Sequence, residues 1–173
     1  MSEVANWFGR KFEFTFPLEL YPNLCVRLRG APARLEELVR NCPRELLVRK
    51  SQDKWSIQEQ AGHLLDLESL WCARVNDFLG GSGQLTAADL TNRKTHEAGH
   101  NDRAIGEIAG EFRKARLQLL DRVQGLGAEA FSRSLLHPRL QQPMRLVDHL
   151  FFAAEHDDHH LARIWELVAA TCP

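Results

Sequence analysis

Two histidines four residues apart, His156 and His160, stand in the run His156-Asp157-Asp158-His159-His160. On a helix, positions i and i+4 share a face one turn apart, and at 100° per residue these imidazoles are roughly 40° apart. Such a pair can bind one cation, but closing the site needs a third donor from another segment. His63 is the histidine of the second helical segment and stands at the edge of its apolar arc, beside Leu67 and Leu70. Three imidazoles leave the charge of a divalent ion unreduced and a coordination position open, which is the donor set of a catalytic site. Water bound there would ionise near neutral pH, and a bound thiol would be deprotonated. His149 lies on the same side but about 10 Å along the axis from His156, too far to share its ion. His159 is expected to point toward solvent.

Imidazole donors suit zinc first, with nickel, iron or copper as alternatives. Glu59 and Asp66, one turn either side of His63, and Asp157 beside the pair, are the carboxylates placed to orient the rings. Histidines at this spacing also occur on plain solvated helix faces. Here Phe151, Phe152, Ala153 and Ala154 directly precede the pair, so this part of the helix is expected to be embedded. Glu68 and Asp157 fall inside the apolar arcs of their helices, and buried carboxylates need partners. They predict an inter-helix ion pair or a polar pocket near the metal.

A second string, His96-Glu97-Ala98-Gly99-His100, matches the HExxH pattern of zinc hydrolases. Its flanks, Thr91 to Thr95 and Asn101-Asp102, offer no apolar face, and Gly99 weakens a helix there. It reads as loop and lead-in to the third helix, placed to fold over the mouth of the metal site.

The elements that must position these residues are helices. Tyr21, Leu24, Cys25, Leu28, Leu35, Leu38 and Val39 recur at helical spacing from about Leu18 to Asn41, with Gly30 and Pro32 predicting a kink. Ser56 and Glu59 form a capping box for a second helix, which ends at Gly80-Gly81-Ser82-Gly83. That glycine-rich stretch lacks the Lys-Ser/Thr of a phosphate-binding loop. A long polar loop follows, to about Asp102, and loops of that length are usually functional or mobile. A third helix is expected from about Asn101 to Gly125, a short turn at Ala128 to Ser132, and a fourth helix after Pro143 to about Ala170. Phe12 to Phe16 alternates too briefly to count as a strand. The sum is an all-α four-helix bundle in one domain spanning residues 1–173, with its long loop between the second and third helices.

Composition sets the bounds. The formal net charge of -1 speaks against a nucleic-acid or anionic-membrane partner. No apolar run approaches a membrane span, and the first residues carry no signal-peptide core. Cys25, Cys42, Cys72 and Cys172 form no CxxC pair and read as reduced thiols, so a cytoplasmic protein is expected.

Two stretches resemble the DinB/YfiT-like family of metal-binding four-helix bundles. Trp55-Ser56-Ile57-Gln58-Glu59-Gln60-Ala61-Gly62-His63-Leu64 is similar to the family's second-helix start. His149-Leu150, followed by His156-Asp157-Asp158-His159-His160-Leu161-Ala162-Arg163-Ile164, is similar to its last helix. The resemblance implies one divalent metal on His63, His156 and His160. It also implies either a thiol-dependent S-transferase using a low-molecular-weight thiol cosubstrate or a hydrolase, acting on a small molecule. Arg163 stands where the family often has glutamine. A homodimer fits a bundle with exposed apolar residues. The alternatives are a non-enzymatic metal-binding or stress-response bundle, or an HExxH hydrolase.

Overall fold

The computed structural model describes residues 4–51, 54–81 and 83–170. Ser82 and Cys172, named above, lie outside the described residues. Four long helices make the body: α1 (Tyr21–Val39), α3 (Ile57–Gly80), α5 (Ile105–Val123) and α7 (Leu146–Ala169). Short helices α2 (Arg44–Leu47), α4 (Arg93–Glu97) and α6 (Ala128–Ser132) fill the connections. The expected bundle is therefore present, with α5 starting a few residues later than the spacing suggested. Among the described residues no helix is long and apolar enough to cross a membrane.

Both α1 and α3 pack against α5 and α7, so α1 and α3 sit diagonally, as do α5 and α7. This arrangement makes α3 and α7, the helices of the three histidines, direct neighbours. Ser56 caps α3 as expected: its hydroxyl accepts from Glu59 N at 3.1 Å, and the Glu59 carboxylate accepts from Ser56 N at 2.9 Å. Gly81 ends the helix in the left-handed region at φ 77°. One element had no sequence signal: strands β1 (Ser134–Leu136) and β2 (Pro143–Arg145) pair antiparallel just before α7. Residues 12–16 form no strand. Phe12 and Phe14 instead pack on Phe152, and Phe16 stacks on Phe151 at 5.3 Å.

The apolar interior is in two parts. One includes Leu28, Trp71, Leu119 and Ala154, the other Ala31, Leu64, Phe112 and Leu161. In chain position a charged layer falls between them: Glu68 on α3, Arg116 on α5 and Asp157 on α7. Arg116 is fully buried and donates to Glu68 at 2.5 Å and to Asp157 at 2.5–3.1 Å. The inter-helix ion pair expected for the two carboxylates is thus real, although its cation was not foreseen. Arg116 also donates to the Leu28 carbonyl of α1 at 3.1 Å. Pro32, inside α1, has no N–H to offer the carbonyl four residues earlier. The guanidinium supplies the missing donor, and α1 runs through Pro32 as one helix. A single side chain therefore touches all four long helices.

Burial pushes Glu68 up to about 7 even with Arg116 opposing it, while the two carboxylates hold Arg116 firmly charged. Removing one partner of such a buried set strands the others. Arg116→Met is expected to cost about 3–5 kcal/mol in urea unfolding, and a loss under about 1 kcal/mol would contradict the assignment of this layer.

His149, fully buried beside Trp71 and Phe78, is pulled from 6.5 down to about 3, chiefly by burial and then by Arg74. The unfolded chain binds that proton near 6.5 and the folded chain does not. Stability is therefore present above about 6.5 and is lost as pH falls toward 3. Between pH 7 and 5 the wild-type protein should lose roughly 2 kcal/mol more than His149→Phe. Equal pH slopes in parallel denaturation series would contradict this.

Candidate metal centre

His63 leaves α3 on the side facing α7, where His156 and His160 stand one turn apart. The three rings are 3 %, 5 % and 7 % exposed. Their ring centroids are 4.4–5.3 Å apart, and one nitrogen of each lies within 4.8 Å of the others. His156 Nε2 and His160 Nε2 face each other at 3.1 Å. Burial lowers all three pKa values: His63 to about 4, against the opposing pull of Asp66, and His156 and His160 well below 6.5, each further lowered by the neighbouring histidines. At neutral pH the rings are uncharged, with lone pairs available.

Hydrogen bonds fix which nitrogens those are. His160 Nδ1 lies 2.6 Å from Gln60 Oε1, an acceptor, so its proton is on Nδ1 and its lone pair on Nε2. His63 Nδ1 lies 3.0 Å from Thr95 Oγ1, and the Thr95 hydroxyl donates its one proton to Asp66 Oδ2 at 3.0 Å. The threonine oxygen is then an acceptor toward His63, whose Nδ1 carries the proton and whose Nε2 is free. His156 Nδ1 has no partner among the described residues, so the neutral ring either donates from Nε2 to His160 Nε2 or, with its proton on Nδ1, turns a third lone pair toward the same point. Nitrogen donors of this kind and spacing suit a divalent transition metal. The donor set therefore fits the group that the spacing predicts.

The carboxylates expected beside the rings are placed differently. Glu59 caps α3 and pairs with Lys50 at 2.6 Å, away from His63. Asp157 faces Arg116 in the charged layer. Only Asp66 reaches a ligand ring, and it does so through Thr95. Burial alone would raise Asp66, but hydrogen bonds from His100 and Thr95 pull its carboxyl below its ordinary value. Gln60 and Thr95 were not foreseen. Gln60, three residues before His63, shares its helix face and was legible by spacing. Thr95 comes from the long loop, whose path no periodicity reveals.

The HExxH string is not a zinc helix. α4 stops at Glu97, Gly99 turns the chain at φ 61°, and His100 falls in a separate single turn. His100 Nε2 bonds Asp66 Oδ2 at 2.8 Å, while His96 is exposed near Trp55. The His100 ring lies so close to α3 that a Cβ on Gly62 would come within 2.2 Å of it. The segment does fold over this region, and it does so as a brace behind His63.

The histidines form one end of a cavity of about 670 Å³. Trp55 lies 4.7 Å from the His63 ring, and Trp7 and Trp71 lie 5.1 and 5.5 Å from that of His156. His159 is half-buried against Trp7 and lines the cavity, rather than pointing to solvent as expected.

Comparison with curated protein sequences gives no match. Among solved structures, YfiT from Bacillus subtilis is similar over 93 % of each chain, with a TM-score of 0.80 at 19 % identity. It is described as a probable metal-dependent hydrolase with an unusual four-helix bundle topology. A mycothiol-dependent maleylpyruvate isomerase is similar over 88 % of this chain and 62 % of its own, with a TM-score of 0.66 at 12 % identity. At these identities the likeness is one of fold. The model of the DinB superfamily matches residues 27–164, and the chain belongs to that superfamily.

Proposed function

We propose that the protein is a metal-dependent enzyme that uses His63, His156 and His160 to hold one divalent cation and acts on a small molecule in the adjoining cavity. The observation that carries this reading is the convergence of three neutral, buried imidazole nitrogens at the end of a cavity large enough for a substrate. A cation held there supplies Lewis acidity that ionises a water or a thiol near neutral pH.

The chain's own residues set the conditions for that chemistry. Gln60 and Thr95 hold the protons of His160 and His63 on Nδ1, so Nε2 of each is presented inward. Asp66, anchored by His100, keeps the Thr95 hydroxyl pointed away from His63. Trp7, Trp55 and Trp71 crowd the rings and limit water. Leu67, Leu70 and Phe152 give the cavity an apolar wall for the body of a substrate. Zinc and nickel both suit the donors.

Thiol transfer is the first reading, because the cavity has room for two reactants. The similarity to a thiol-dependent isomerase and to a probable hydrolase supports both chemistries, and hydrolysis is the second reading. A bundle that holds metal without catalysis is the rival.

Purified protein should contain about one equivalent of zinc or nickel by elemental analysis, falling below about 0.1 in His63→Ala or His156→Ala. Thr95→Val should weaken metal affinity about 10- to 100-fold without unfolding the protein. In a thiol-transfer screen, turnover should require both metal and thiol; turnover with water alone selects the hydrolase. Metal content unchanged in the histidine variants contradicts the site, and bound metal with no turnover in either screen favours the non-catalytic rival.

A further inference from the structure

Two arginines of this protein are almost completely buried, and they are treated differently. Arg116 has two carboxylates. Arg74, on α3 and 2 % exposed, forms no ion pair with a carboxylate among the described residues. Its Nε donates to the Thr86 carbonyl at 2.9 Å, and its guanidinium lies 5.6 Å from the Trp71 ring centroid. Asp77, a carboxylate that acts on it at longer range, has Oδ2 occupied by Thr86 N and Oγ1. A buried cation without a counter-ion is costly, and the cost is removed by an anion that arrives with a ligand.

Arg74 lines the cavity described above, and so do its neighbours. Arg139 is half-buried, close enough to Arg74 to disfavour its charge, and lies 5.3 Å from the Phe8 ring. His137 is 2 % exposed, and its Nδ1 accepts the Leu140 N–H at 3.1 Å. The proton of the neutral ring is therefore on Nε2, which has no acceptor among the described residues. Trp71 Nε1 is likewise buried without an acceptor. Among the described residues that line the cavity beside Arg74, the groups left without a partner are the N–H donors of His137 and Trp71. Among the described residues, the one acidic side chain in the lining is Asp89, which is exposed and accepts from Thr91 and Arg93 backbone N–H groups. Burial, opposed by Asp77 and aided by Arg139, draws Arg74 down to about 10, as expected of a cation lacking its partner.

We propose that Arg74, with His137, Trp71 and Arg139, forms a carboxylate-binding subsite separated from His156 by the Trp71 indole. Its ligand is a small organic acid: the planar guanidinium takes the carboxylate through paired N–H donors, and Leu67, Leu70 and Phe152 take the apolar body. The proposal rests on the cavity being the substrate chamber, and it deepens that reading by naming the substrate class. Two sources fit, a carboxylate on the substrate or one on a thiol cosubstrate.

The test is isothermal titration of the full chain after chelator treatment, so that no cation competes for the acid. 3-Phenylpropanoate should bind about 10- to 100-fold more tightly than its amide. Arg74→Met and His137→Phe, each checked for an unchanged unfolding midpoint, should reduce that preference to less than about threefold. If Arg74→Met does not fold, His137→Phe and Arg139→Gln carry the test. In wild type, 3-sulfanylpropanoate outbinding 3-phenylpropanoate places the carboxylate on the thiol, and the reverse places it on the substrate; either supports the subsite. Equal binding of acid and amide, or a preference that survives the folded variants, overturns it. Metal content is read separately, so loss of the metal reading alone leaves an intact acid preference.

Discussion

Imidazole rings taken out of water lose their charge and must place each nitrogen against something else. That constraint organises the centre of this bundle. His63 and His160 turn their Nδ1 protons outward to Thr95 and Gln60, so their Nε2 lone pairs turn inward toward His156. His156 Nε2, facing His160 Nε2, carries either a proton that bridges the two rings or a third lone pair that a cation can take. The surrounding structure serves to hold the rings in that opposition. α3 and α7 must be neighbours, α3 must start at Ser56, and the long loop must return to place Thr95 and His100 behind His63.

What keeps α3 and α7 in place is itself electrostatic. The layer of Glu68, Arg116 and Asp157 divides the apolar interior and joins all four long helices. Asp157 is adjacent in sequence to His156, so the ion pair that locks α7 also sets the rotation of the histidine face. Pro32 looks like a defect in α1, yet the carbonyl it leaves without a helical partner is the one Arg116 binds. Specific polar partners in a buried layer fix register more sharply than apolar contacts do, at some cost in stability. The cavity then follows from geometry, with Trp7, Trp55 and Trp71 around the histidines, and Arg74 and Arg139 beyond Trp71.

Much of this was legible in the sequence because it is periodic or local. The i, i+4 spacing of His156 and His160, the apolar company of Phe152 to Ala154 and the Ser56–Glu59 box each depend on residues within one helix. Glu68 and Asp157 were legible as buried carboxylates for the same reason. Their cation was legible on the same ground, since Arg116 stands four residues after Phe112 and three before Leu119, but a lone arginine on an apolar face does not say which carboxylates it will meet. Glu59 and Asp157 misled as supports for the rings: proximity along the helix says nothing about which way a carboxylate turns when a cap or an arginine competes for it. The loop from 81 to 104 was the least legible part. Thr95 and His100 matter through long-range contacts, and the HExxH pattern suggested a function that Gly99, by breaking the helix, rules out. Arg74 shows the same limit, because a missing counter-ion is visible only once the fold is known.

X-ray absorption on zinc-loaded protein addresses the centre most directly. The account predicts a first shell of nitrogen or oxygen donors at about 2.0–2.1 Å, with the outer-shell scattering of three imidazoles. A sulfur donor at about 2.3 Å, or scattering from fewer than three imidazoles, would contradict it.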